Sequence, residues 1–381
     1  MSTPAGRARD LVAALRVDAA ETDREGGFPE HSISLLHEAG LLAAALPAER
    51  GGESLGAASR GVELLETLAA VGRGSLVAGR LFEGHVNALQ LIERYGSDDQ
   101  RAHAADDALL GRLFGVWNTE AADGVKLARL SDAYVLSGSK TFASGLGHVA
   151  RAIVTASVDD GEARGPQMLI LALDSQPARE DRSFWKPLGM RASASFRAGF
   201  DGRRIAREEL LGGVGDYYRQ PAFGGGAIRF AAVQLGGAEA IYDETRRFLR
   251  ELGRTSDPYQ RARVGEMAWR IESGRLWLPA AGEHAALALS GPSHVDAESS
   301  ERTLAYAHLM RSAIEDVCLR VIELAERSVG ARGLLRPEPF ERMHRDLAHY
   351  LRQPAPDSAL ADAGRHVLAD LRPADTLWSR A

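Results

Sequence analysis

The hydrophobic period of this chain changes twice, and that change restricts the fold more than any single motif. From Arg7 to about Gly111 apolar residues return at one-turn spacing: Leu11, Leu15 and Ala19, then Ile33, Leu36 and Ala39 before Gly40. Such spacing predicts amphipathic helices. From about Leu113 to Leu211 the texture becomes short β-type runs, RLFGVW, AYVLSG, RAIVTASV, QMLILAL and SFRAGF, separated by turn residues. No helical period lies between them, so an antiparallel sheet or small barrel is expected, not alternating β-α units around a parallel sheet. After the glycine-rich FGGGA the helical period returns, with Ala238, Ile241, Tyr242, Thr245, Phe248, Leu249 and Leu252 on one face. Long amphipathic helices in series predict a bundle. The expected division is therefore 1–112 helical, 113–215 β and 216–381 a helical bundle.

A chain of 381 residues can bury the large interior that three such parts share. Its 46 basic and 52 acidic residues give a net charge of -6 with no basic run, which argues against a nucleic-acid partner and for a small molecule or a protein. MSTPAGRARDLVAAL has no signal-peptide core, and the longest apolar run, around LLAAALP, falls far short of a membrane span, so a cytoplasmic protein is expected. The single cysteine, Cys318, lies on the stripe Ile314, Val317, Cys318, Val321, Leu324, Ala325, Ser328 and reads as buried packing. No metal site is expected.

Five segments, in order and at matching spacing, resemble the acyl-CoA dehydrogenase superfamily of flavoproteins: FPEHSISLLHEAGLLAAALPAERGG, RYGSDDQR, YVLSGSKTFASG, LGMRASASFRAGFDGRRIAREELL and SVGARGLLRPEPFERMHRDL. The resemblance implies an N-terminal helical domain, a middle antiparallel β-barrel domain and a C-terminal four-helix bundle, with FAD between them. It also implies a homodimer or homotetramer, an acyl-CoA or acyl-carrier thioester as substrate, and hydride transfer to flavin N5.

Carried over residue by residue, the resemblance places Phe142 against the flavin ring and Ser144 within reach of N5 or its neighbours, where a hydroxyl can donate or accept as the redox state changes. Without it, Phe142 reads as core and Ser144 as a turn residue. VWNTEA supplies Trp117 and Thr119 at the pyrimidine edge. Arg254 and Gln260 fall near the adenosine and pyrophosphate positions, although the family's Phe-Gly step is absent and Arg254 also reads as a helix-end charge. Gly330 and Gly333 match two glycines that let backbone approach the cofactor, and Arg327 stands where a glutamine is usual. Arg229, beside the glycine run, is a candidate substrate contact.

Dehydrogenation needs a carboxylate to take the α-proton. The family's usual position for it falls on Pro354 and the alternative on Gly226, so both are empty. Asp357 is either a substitute base or the capping acid of the next helix. The SGLGH step instead resembles two-component flavin monooxygenases of the same fold, which implies for His148 a part in the oxygen chemistry; read alone, it is a polar loop residue. The first expectation is thus a FAD-dependent acyl thioester dehydrogenase. The alternatives are a monooxygenase of that fold and a non-catalytic flavin-binding member.

Overall fold

The structure, a computed structural model, describes residues 2–131, 133–159, 164–289, 297–352 and 356–378. Its first part is helical: α1 (Pro4–Asp10), α2 (Val12–Glu25), α3 (Glu30–Glu38), α4 (Leu41–Ala44), α5 (Gly61–Gly74), α6 (Leu76–Tyr95) and α7 (Asp98–Leu109). The RYGSDDQR segment explains itself. Ser97 accepts from the Gln100 amide (3.2 Å) and the Gln100 side chain accepts from the Ser97 amide (3.0 Å), a reciprocal cap that starts α7. Gln100 also donates to the Leu210 carbonyl at 2.9 Å, tying that helix to the β part.

The β part holds β1 (Phe114–Trp117), β2 (Lys126–Arg129), β3 (Tyr134–Ser137), β4 (Ser139–Ala143), β5 (Arg151–Asp159), β6 (Arg164–Ala172), β7 (Arg179–Asp181), β8 (Phe196–Gly199), β9 (Arg203–Ile205) and β10 (Leu210–Leu211). One sheet runs β10-β6-β5-β2-β3-β9 with β1 beside β5, and a smaller one runs β4-β8-β7. Most pairs are antiparallel, as expected of a barrel. The pairings of β1 and β2 with β5 are parallel, a departure that local alternation does not encode.

The last part holds α8 (Ala222–Gly225), α9 (Ala227–Glu251), α10 (Pro258–Leu289), α11 (Ala297–Gly333), α12 (Pro339–Tyr350) and α13 (Pro356–Ala369). Among the described residues, no helix is long and apolar enough to cross a membrane. Cys318 is fully buried on α11, as its stripe predicts, and burial pushes its thiol pKa up.

Two contacts lock the three parts together. On α5 and α9 the backbones meet: a side chain at Gly72 would strike the Val233 carbonyl, and one at Gly236 the Ala69 carbonyl. On α12, Arg345 bridges Asp23 of α2 (2.7 Å) and the Leu188 carbonyl (3.2 Å), while Asp346 accepts from the Met190 amide at 2.6 Å. The Arg345-Asp346 pair therefore holds the 188–190 loop of the β part between two helical layers. Gly189 permits this, because a Cβ there would lie 1.9 Å from the Arg345 carbonyl oxygen.

Candidate active site

The site begins with a large aromatic ring left uncovered. The pairing of β4 with β8 shifts register between Lys140 and Ala143, and such an irregularity re-aims the residues it contains. Phe142 lies inside it with φ of 53° and 48 % of its surface exposed. A bulky residue in that left-handed region costs roughly 1–2 kcal/mol. Its ring meets Phe184 and Trp185 edge-on at 5.2 and 6.0 Å, and Trp185 meets His349 of α12 at 5.6 Å. Burial keeps the pKa of His349 below the usual imidazole range. Neither of its ring nitrogens has a hydrogen-bond partner among the described residues. Thr119 is exposed, and its carbonyl accepts from the amide of Thr141, the residue before Phe142, at 3.0 Å.

Ser144 follows directly. Its hydroxyl lies 2.8 Å from that of Ser195, which lies 2.7 Å from that of Ser193. The turn carrying both partners is set by two non-glycine residues with positive φ, Met190 at 58° and Ala194 at 45°. Trp117, expected at the flavin edge, is instead fully buried behind this face, because its strand turns the ring into the barrel core. Its indole N–H donates to the Ser144 carbonyl at 3.0 Å. Its position is one of support. We expect Ser144→Ala to leave the fold intact and weaken flavin binding about tenfold or shift the flavin potential. Unchanged affinity, spectrum and potential would remove Ser144 from the site.

Beside these lies a polar layer. Asn118 accepts from Thr155 (2.8 Å) and from the Tyr218 hydroxyl (2.7 Å), and buried Lys140 donates to the Asn118 carbonyl at 3.1 Å. Tyr217, Tyr218 and Phe223 pack edge to edge. Arg229 donates to Glu83 at 3.1 Å and Asn87 at 2.7 Å, and Arg80 donates to the same Glu83 at 3.1 Å. Arg229 thus reaches α6 and joins a buried charge cluster.

The remaining expected residues divide. Gly226 caps α9, and a side chain there would press on the Arg229 guanidinium at 3.0 Å. Pro354 lies outside the described residues. Asp357 stands exposed in the first turn of α13, which packs along α11, a position that suits the capping role. His148 stacks on Phe28 at 3.9 Å with Nδ1 3.3 Å from Glu30, which turns it toward the start of α3. At the bundle end, Arg254 pairs with Asp257 (2.8 Å), Arg327 with Glu323 (3.2 Å), and Gln260 donates to the Ser328 carbonyl at 3.3 Å. Gly330 breaks α11 with φ of 63°, and a Cβ there would meet no atom within 4 Å; at Gly333 it would strike Val329.

Residues 6–111 match the N-terminal domain of acyl-CoA dehydrogenases and residues 228–352 the C-terminal domain. The chain belongs to the acyl-CoA dehydrogenase superfamily. Within the superfamily it is 27 % identical to a dibenzothiophene monooxygenase of Rhodococcus erythropolis, over 96 % of this chain and 93 % of that one. It is 26 % identical to a cyclohex-1-ene-1-carbonyl-CoA dehydrogenase of Geobacter metallireducens, over 86 % and 87 %. The FMN-bound crystal structure of TdsC from Paenibacillus sp. A11-2 superposes with a TM-score of 0.85, at 22 % identity, over 99 % of this chain and all of that one.

Superfamily members imply a flavin, and the residues present fit one. Phe142 is held strained and uncovered, and no packing partner among the described residues accounts for both. A planar ring laid on it would, with the Thr119 and Ser144 hydroxyls at its margin. At the pyrophosphate end both expected cations, Arg254 and Arg327, are about half exposed, each beside an acid three or four residues away, Asp257 and Glu323.

Proposed function

We propose that this protein is a two-component flavin-dependent monooxygenase, taking reduced FMN from a separate reductase and transferring one atom of dioxygen to a small molecule. The observation that carries this reading is the side-chain set around Phe142: hydroxyls from Ser144, Ser195 and Ser193, and the uncharged imidazole of His349. Several carboxylates of the surrounding elements are already engaged. Glu83 is shared by Arg80 and Arg229, Asp346 holds the Met190 amide, and Glu120 pairs with Lys140. Dehydrogenation needs a carboxylate free to take the α-proton, and that side-chain set around Phe142 contains none. The monooxygenases among its relatives support the reading, and the dehydrogenases among them keep acyl thioester oxidation as the second one.

Bound reduced flavin supplies the two electrons that activate dioxygen. The chain's own work is to hold the ring on Phe142, Thr119 and Ser144, and to keep water away with Trp185, Tyr217, Tyr218 and Phe223. His349, neutral near pH 7, can take a proton at the site. FMN in place of the FAD first expected accords with the FMN bound by TdsC. A homodimer or homotetramer in the cytoplasm remains part of the proposal.

The test is anaerobic. The protein should bind FMN at least as well as FAD, and a panel of acyl-CoA thioesters should leave the bound oxidised flavin yellow. Bleaching by any of them would restore the dehydrogenase reading.

A further inference from the structure

The three serines form a chain with one buried end and one open end, and this fixes the direction of its hydrogen bonds. Ser193 and Ser195 are 1 % and 3 % exposed, whereas Ser144 is partly exposed beside Phe142. Each hydroxyl carries one proton to donate. Among the described residues, the only side-chain partners of these oxygens are one another, at 2.7 and 2.8 Å.

Three arrangements exist. If Ser144 donated to Ser195 and Ser195 to Ser193, the buried proton of Ser193 would have no acceptor. If Ser144 and Ser193 both donated to Ser195, the buried proton of Ser195 would have none. Only donation from Ser193 to Ser195 and from Ser195 to Ser144 leaves no buried donor unpaired, and unpaired buried donors are costly. The proton of Ser144 then points out of the protein.

We infer that Ser195, backed by Ser193, is a positioning residue that turns the Ser144 proton outward, so that Ser144 donates to the ligand atom facing it. The turn is built for this. Met190 and Ala194 both adopt left-handed backbone to bring the two hydroxyls into line, and the Gly145 amide donates to the Ser193 carbonyl at 2.8 Å, fixing the turn against the residue after Ser144. Oxidised flavin offers only acceptors along the edge of its central ring, so a hydroxyl whose proton is turned outward matches it. The inference rests on the flavin part of the proposed function, not on the oxygen chemistry.

The experiment is a double-mutant cycle read by binding of oxidised FMN, without turnover, with thermal melts to show that each variant folds. Ser195→Ala should weaken FMN binding about three- to tenfold, whereas Ser193→Ala should weaken it less, because the buried Ser195 proton still has only Ser144 to donate to. Ser195→Thr, which keeps the hydroxyl, should restore most of the affinity. In a Ser144→Ala background, adding Ser195→Ala should change affinity no further. Equal losses from Ser195→Ala with and without Ser144, or no loss at all, would overturn the inference while leaving the flavin reading intact. Absence of FMN binding to the unmutated protein would overturn both.

Discussion

Replacing Phe142 by glycine should separate stability from cofactor binding. The left-handed backbone at this position costs phenylalanine roughly 1–2 kcal/mol, and glycine adopts it freely. Against that gain stands loss of the edge contacts with Phe184 and Trp185, each worth about 0.5–1.5 kcal/mol. The two nearly cancel, so unfolding free energy should stay within about 1 kcal/mol of the original. FMN affinity should fall by about ten- to a hundredfold, since the ring's apolar platform is gone. Phe142→Ala gives the opposite ordering from an ordinary strand position: it keeps the strain and loses the contacts, so it should be less stable than Phe142→Gly by about 1 kcal/mol. Denaturant unfolding and FMN titration of the three proteins check this. Undiminished FMN affinity in the glycine variant would remove Phe142 from the flavin site.

The second large effect concerns Asp346. Burial raises its pKa from 3.8 to about 6, with Arg342 at 3.7 Å and the Met190 amide only partly compensating. A carboxyl whose folded pKa lies above its unfolded value contributes stability that is complete below the unfolded pKa and lost as pH rises through the folded one. The stability of the original protein relative to Asp346→Asn should therefore fall by up to about 3 kcal/mol between pH 4 and pH 6, and stay level above. Asparagine still accepts from the Met190 amide. Asp346→Ala does not, and should cost about 1–3 kcal/mol more than Asn at pH 7, by leaving that amide unpaired. It should also loosen the turn that carries Ser193 and Ser195, lowering FMN affinity as well. Parallel pH profiles for the original and the Asn variant would show that Asp346 titrates without linkage to folding.

How much of this was legible in the sequence follows from what kind of signal each part leaves. The helical, β and helical order is written in hydrophobic period, and the cap of α7 in Ser97 and Gln100. The parallel pairing of β1 with β5 leaves no local trace, because β1 and β5 are brought together by segments distant in sequence. In the site, KTFASG marks Phe142 and Ser144 and VWNTEA marks Thr119, and the bond from the Thr141 amide to the Thr119 carbonyl sets the two segments side by side. Ser193 and Ser195 lie within a quoted segment, yet their role depends on left-handed backbone at Met190 and Ala194, which no residue preference announces. Trp185 and His349 meet only because α12 docks on the 188–190 loop. Arg229 was visible beside the glycine run, but its partners on α6 are supplied by the packing of α6 against α9.

A single rapid-mixing experiment tests whether this protein is a monooxygenase. The protein loaded anaerobically with reduced FMN is mixed with oxygenated buffer, and flavin absorbance is followed beside that of free reduced FMN. Protein-bound flavin should regain its oxidised spectrum after a resolved delay, and the delay should shorten in Ser144→Ala. Reoxidation of the bound flavin without any delay, together with bleaching by an acyl-CoA thioester, would contradict the monooxygenase reading.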